Sequence, residues 1–142
     1  MPTTATTPAA RLLLEAFDAL NRGDLKAASS MLPGDFVVNH VGQPTQRGRD
    51  AWAAGLRAML EAVPDLRVEV LDLVAEGGTV AVRVRLSGTH RGPFFGAPPS
   101  ARPVAWSSFE FYRVEEGLLA EEWICPDITT MASELGLGLG PA

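Results

Sequence analysis

Near the C-terminus, the run Gly117-Leu118-Leu119-Ala120-Glu121-Glu122-Trp123-Ile124-Cys125-Pro126-Asp127 reads as a strand that ends on a carboxylate. Period-two alternation places Trp123, Cys125 and Asp127 on one face, so Asp127 closes a row that is otherwise apolar and aromatic. A carboxylate in that position has two uses. It can cap a helix beginning at Ile128, or it can act as a base whose pKa is raised by apolar surroundings. Such a base suits removal of a carbon-bound proton beside a carbonyl, a reaction that also needs donors to hold the enolate oxygen.

Other side chains could complete that chemistry. His40 shares a predicted strand face with Phe36 and Val38. It is either a core histidine bonded to a backbone carbonyl or the group that steadies an enolate or shuttles a proton. Glu110 falls on one face of a later strand with Trp106, Ser108 and Tyr112. If that face is concave, Glu110 is buried and must be paired or protonated, and Arg83 or Arg85 on a neighbouring strand is the expected partner in a structural ion pair. Trp106 and Trp123 offer indole N–H groups to a carbonyl oxygen, or else simply pack. His90 either fixes the start of a long loop or reaches the pocket. Cys125 has no adjacent histidine to activate it, so no nucleophilic role is expected. The candidates are therefore Asp127 and His40 for catalysis, and Trp106, Trp123, Glu110 and Tyr112 for substrate contact, together with His90, Phe94 and Arg83.

The elements that must position these residues are legible in the same pattern. Thr7-Pro8 reads as a cap and first helical position, followed by Leu12, Leu13, Ala16, Phe17 and Leu20 at helical spacing. Gly23 ends that helix, and Asp24 caps a second, shorter one that stops at Pro33-Gly34. Phe36 to His40 is a short strand, after which the turn-rich Gly42-Gln43-Pro44-Thr45 leads to a third helix over roughly Arg49 to Ala62. Trp52, Leu56, Met59, Leu60 and Val63 form its apolar stripe. Leu66 to Ala75 and Thr79 to His90 are long strands joined by a hairpin at Glu76-Gly77-Gly78. The connection Arg91 to Pro103 holds four prolines and two glycines, and its apolar Pro93-to-Pro99 core marks it as a lid or an interface segment. Val104 to Val114 is the next strand, and Ile128 to Leu135 a terminal helix. Residues 1 to 7 are expected to be frayed and the Gly136-to-Gly140 tail flexible.

Helices first and long antiparallel strands after give an α+β domain, with helices on one face of a curved sheet that wraps them into a cone. A pocket remains where the helices do not fill the wide end. The chain is expected to be one domain over residues 1–142, with an ordered core at 8–136. Composition narrows the function. Hydrophobic residues are 46% and charged residues 20%, which is globular composition. The net charge of −5 and the lack of clustered Lys and Arg argue against a nucleic-acid surface. One cysteine and two well-separated histidines leave no disulfide framework and no expected metal site. No signal-peptide pattern or membrane-spanning run is seen, so a cytoplasmic protein without membrane contact is expected.

With the strands placed, three stretches carry a resemblance. They are Gly88-Thr89-His90-Arg91-Gly92-Pro93-Phe94-Phe95-Gly96-Ala97-Pro98-Pro99, Phe109-Glu110-Phe111-Tyr112-Arg113-Val114-Glu115-Glu116-Gly117, and Glu121-Glu122-Trp123 with Asp127 and Glu134-Leu135-Gly136. Over roughly residues 9 to 136 the chain resembles the SnoaL-like polyketide cyclases of the NTF2-like superfamily. The resemblance implies a cone-shaped α+β barrel with a deep apolar cavity, a homodimer, and ring closure of an aromatic polyketide by intramolecular aldol condensation without metal or organic cofactor. It also implies an aspartate acid/base, which the Trp-x-x-x-Asp motif carries onto Asp127.

Three functions follow as expectations. The first is a cofactor-independent cyclase or isomerase acting on a hydrophobic keto-containing small molecule. The second is a non-catalytic module that binds a small apolar ligand or dimerises. The third is an epoxide hydrolase-like enzyme in which two carboxylates flank an arginine on a water, with Glu110, Arg83 or Arg85, and Asp127 supplying the residue types. Whether Asp127 points into the cavity or over the last helix separates them.

Overall fold

The computed structural model describes residues 7–137, and the expectations for residues 1–6 and for the glycine-rich tail beyond Leu137 lie outside the described residues. Helix α1 spans Pro8–Asn21, with the Thr7 side chain accepting from Ala10 N at 3.1 Å. Helix α2 spans Leu25–Ser30 and is capped by Asp24, which accepts from Ala27 N. Strand β1 (Val37–His40) leads through the Gly42 turn to β2 (Gln46–Arg47), a two-residue strand that the turn-rich sequence concealed. Helix α3 (Arg49–Ala62) follows. Strands β3 (Arg67–Glu76), β4 (Thr79–Thr89), β5 (Pro103–Glu115) and β6 (Leu118–Pro126) then run antiparallel in sequence, and α4 (Ile128–Glu134) closes the chain.

The strands form a single six-stranded curved sheet in the order β2-β1-β6-β5-β4-β3. Strand β1 joins parallel to β6, with Asn39 opposite Trp123 and His40 opposite Ile124. The concave face is built by alternation: Val80, Val82, Val84 and Leu86 of β4 and Val104, Trp106, Ser108, Glu110 and Tyr112 of β5 are all buried. Helix α1 lies across this face. At its end Asn21 clamps β3, donating to Val68 O at 2.9 Å and accepting from Val68 N at 2.8 Å.

One irregularity sets the phase of the last strand. Arg113 pairs with Glu121 but Val114 pairs with Leu119, so Ala120 is an extra residue in β6. Leu119 is buried, and after this bulge the buried set resumes at Glu122 rather than Glu121. Glu122, Ile124 and Pro126 face inward. Trp123, Cys125 and Asp127 do share a face, as alternation requires, but it is the outer one.

The long loop after β4 is rooted on α3. Arg91 N and Gly92 N both donate to Ala62 O, and the Asp65 carboxylate accepts from Thr89 N and Thr89 Oγ1. His90 is fully buried at this root, exchanging backbone hydrogen bonds with Arg102 and Ala101, with Nδ1 3.1 Å from Ser100 Oγ. The loop ends in a tight Phe94–Ala97 turn that carries Phe94 back to stack edge-on against Trp106 at 5.9 Å. At Gly92 a Cβ would stand 2.3 Å from Glu61 O, so only glycine lets the loop pass α3. Gly92→Ala should therefore lower the unfolding free energy by about 1–3 kcal/mol through forced displacement of the loop root. An unshifted urea midpoint would show that the contact relaxes freely.

Candidate active site

Between the concave face and the helices lies a cavity of ≈ 460 Å³. Phe17 and Leu20 of α1 and Trp52, Leu56 and Met59 of α3 form one side, and Pro93, Phe94 and Phe95 of the long loop form another. His40, Gln43, Pro44 and Gln46 stand along the β1–β2 side. The sheet supplies Leu86, Trp106, Ser108, Glu110, Tyr112, Glu122 and Ile124.

The polar groups on this wall come from adjacent strands in register. Ser108, Glu110 and Tyr112 follow one another at every second position of β5, and Tyr112 stands opposite Glu122 while Glu110 stands opposite Ile124. Tyr112 Oη donates to Glu110 Oε1 at 2.6 Å, and the ring of Phe17 meets Tyr112 edge-on at 6.1 Å. Glu110 and Glu122 are 7% and 3% exposed, so both carboxyls have left bulk water.

Burial dominates their ionisation. It pushes the Glu110 carboxyl above its ordinary value, against hydrogen bonding from Tyr112, the nearby Ser108 hydroxyl and the positive field of His40. Burial first, and repulsion from Glu110 second, push Glu122 up to about 8, opposed by Tyr112. Burial and the two glutamates push the Tyr112 phenol well above 10, so it stays a donor. Three groups oppose the burial of Glu110 and one that of Glu122, and the charge of Glu110 is itself among the causes that raise Glu122. Glu122 then holds its proton through neutral pH. Ser108 is 2% exposed, and its Oγ makes no hydrogen bond of ordinary geometry.

The expected site residues divide by location. His40, Trp106, Glu110, Tyr112 and Phe94 all line the cavity. Asp127 does not: it caps α4, accepting from Thr130 N at 3.0 Å and Thr130 Oγ1 at 2.6 Å. Those bonds hold its exposed carboxyl below the usual range. Trp123 is 40% exposed on the outer face. Arg83 is also on the outer face, paired with Asp72, because the register sets Val82, not Arg83, opposite Glu110. Arg85 shares that outer face, so neither arginine is Glu110's partner; Tyr112 is. His90 serves the loop root and is not among the residues lining the cavity. Glu122, central here, was hidden by the Ala120 bulge, since plain alternation from buried Leu119 sends it outward. Among the described residues no group of three or more His, Cys, Asp or Glu could hold a metal ion, and no helix is long and apolar enough to cross a membrane.

The SnoaL-like polyketide cyclase model matches residues 10–135. The chain belongs to the SnoaL-like polyketide cyclase family. Solved structures agree with that assignment in fold. AclR from Streptomyces galilaeus, a candidate hydroxylase, is 30% identical, with 94% of this chain and 84% of AclR covered and a TM-score of 0.81. IdmH from Streptomyces antibioticus, a candidate polyketide cyclase, is 28% identical over 91% of this chain and 99% of its own, with a TM-score of 0.80. An LEH-like epoxide hydrolase from M. tuberculosis, 24% identical over 92% of this chain and 90% of its own, shares the fold at a TM-score of 0.73. No match is found among curated protein sequences. In this SnoaL-like chain Tyr112, not an arginine, stands beside the two cavity carboxyls.

The raised pKa of Glu122 has a stability consequence. Its folded value of about 8 lies above the ordinary 4.5, so its contribution is fully present below pH 4.5 and is lost as pH rises through about 8. Wild type is expected to lose on the order of a few kcal/mol across that window relative to a Glu122→Gln variant. Urea unfolding at a series of pH values checks this, and parallel curves for the two proteins would contradict it.

Proposed function

We propose that this protein is a cofactor-independent enzyme of the cyclase or isomerase kind, acting by acid/base catalysis on a hydrophobic keto-containing small molecule. One observation carries the reading. Two buried carboxyls, joined through Tyr112, face a cavity walled by aromatic and aliphatic side chains. The acid/base role given by resemblance to Asp127 passes to Glu110, because Asp127 is spent on a helix cap outside the cavity.

The chemistry follows from the ionisation of the pair. With the substrate ketone in the cavity, the Glu110 carboxylate takes a proton from the carbon beside the carbonyl. The C–H electron pair becomes the C=C bond of the enolate, and the carbonyl π pair moves to oxygen. Glu122, neutral at working pH, can donate a hydrogen bond to a carbonyl oxygen of the substrate on its own side of Glu110, a use of a buried carboxylic acid that its raised pKa allows. The enolate carbon then attacks a second carbonyl of the same molecule or takes a proton back from Glu110. His40 and Trp106, on the same wall, are placed to orient the substrate. A metal-free, cofactor-free route is part of this proposal.

The measurement is α-proton exchange of 1-tetralone in D₂O followed by NMR. Wild type should accelerate exchange, Glu110→Gln should lose at least about 100-fold, and Asp127→Asn should exchange normally. The rate should decline above about pH 8 as Glu122 ionises. Loss of exchange in Asp127→Asn with retention in Glu110→Gln would reverse the assignment.

A second reading concerns assembly. Val74, Phe109 and Phe111 on the outer face of the sheet are 69%, 60% and 53% exposed, and Trp123 lies in register with Phe111. This apolar strip supports a homodimer packed through the sheet, the assembly that the family resemblance implies. Phe111→Glu should then shift the light-scattering mass to that of a single chain. A wild type that is already a single chain at micromolar concentration would end this reading.

A further inference from the structure

Among the described residues lining the cavity, Ser108 is the one whose side chain holds a fully buried polar atom without a hydrogen-bond partner. Tyr112 Oη, by contrast, is committed to Glu110. Its cross-strand neighbours offer nothing. Val84 stands opposite on β4 and Pro126 opposite on β6, so both flanks are apolar and the second brings no backbone N–H. The Glu110 carboxylate is near enough for Ser108 to favour its anion, yet the hydroxyl is not aligned on it.

A buried hydroxyl left in this state costs stability, and alanine would fill the position without that cost. Its location suits a ligand instead. Ser108 and Glu110 are two positions apart on one strand face, about 7 Å along β5, with the space over both open to the cavity. A ketone whose α-carbon lies at the Glu110 carboxylate can therefore direct its oxygen along the wall toward Ser108.

We propose that Ser108 is a catalytic hydrogen-bond donor to the carbonyl oxygen of a ketone whose α-carbon lies at Glu110, on the side of Glu110 away from Glu122. This inference rests on the proton-abstraction reading and assigns the group that receives the developing oxyanion. The ligand class it selects is a ketone or enol oxygen carried on a flat apolar ring system and held by an uncharged hydroxyl donor.

The test combines turnover, binding and stability of the whole protein. Ser108→Ala should melt at or above the wild-type temperature while its kcat for 1-tetralone exchange falls by about 10²-fold with KM little changed, since the donor acts on charge that develops in the transition state. Ser108→Thr, which keeps a hydroxyl, should recover part of the rate. Wild type should also bind 2-naphthol more tightly than 2-methylnaphthalene, and Ser108→Ala should abolish that preference. Wild-type exchange by Ser108→Ala would overturn the proposal while leaving the Glu110 reading intact, because Glu110→Gln would still be inactive. A lowered melting temperature with only an upward shift of the acidic limb would also overturn it, making Ser108 a structural partner of Glu110. No wild-type exchange, together with equal binding of the two naphthalenes, would overturn both readings.

Discussion

Ala120 is an extra residue in β6, and the identity of every side chain that β6 sends into the cavity depends on it. Without the bulge, the phase fixed by buried Leu119 would carry Glu121 and Trp123 inward and leave Glu122 in solvent. With it, Glu122 comes into register with Tyr112, two buried carboxyls share one tyrosine, and Trp123 is turned to the outer face. Glu121, displaced outward, is free to accept from Arg113 and Asn39. One inserted residue thus decides which of two adjacent glutamates joins the polar row of β5. Bulges recur beside functional sites because they re-aim side chains in this way.

Burying two carboxyls in a largely apolar cavity wall is unfavourable, and the structure limits the cost by limiting the charge. A second anion would sit beside the first in a poorly solvated wall, so Glu122 keeps its proton. The single anion on Glu110 is met by the Tyr112 phenol at 2.6 Å. The pair is therefore polarised before any ligand arrives, with one member able to accept a proton and the other able to offer one. Pairs whose surroundings separate their pKa values are the arrangement from which acid and base roles are read. The same reasoning explains why Asp127 is a poor base, since an exposed cap with two donors has its carboxyl held low.

Much of the frame was legible from residue patterns. Thr7-Pro8, Asp24 and Asp127 each announce a helix start by cap chemistry, and each caps one. The alternation in β4 identified its buried face, and that in β5 grouped Trp106, Glu110 and Tyr112 on one face, which the pairing with β4 makes the concave one. What failed had a common cause. Cross-strand partners depend on register, and register is not written in any one strand. Residue type alone makes Arg83 a partner for Glu110, whereas the pairing of β4 with β5 places Val82 opposite it. The apolar Trp123-Cys125 row seemed the buried face of β6, although its exposure is tolerated on the outer sheet while two adjacent glutamates concealed which one was inside. His90 was read as either a loop anchor or a pocket residue, and its position at the loop root follows from contacts with Arg102, Ala101 and Ser100 that lie ten or more residues away.

The charge balance of the cavity narrows its occupant further. No lysine or arginine is among its described lining residues, and its basic member is the half-buried His40 on the β1–β2 side. A carboxylate or phosphate entering would find an anion at Glu110, no compensating cation, and a desolvation cost of its own. A neutral carbonyl faces none of these and gains the donors on the wall. The aromatic side chains reinforce the preference, because Phe94 and Phe95, stacked at 4.7 Å with Phe94 against Trp106, line the same cavity with flat apolar surface. Shape and charge therefore both favour the uncharged, ring-bearing carbonyl compound proposed as the substrate, and the protonation of Glu122, held by burial, keeps the polar strip compatible with it.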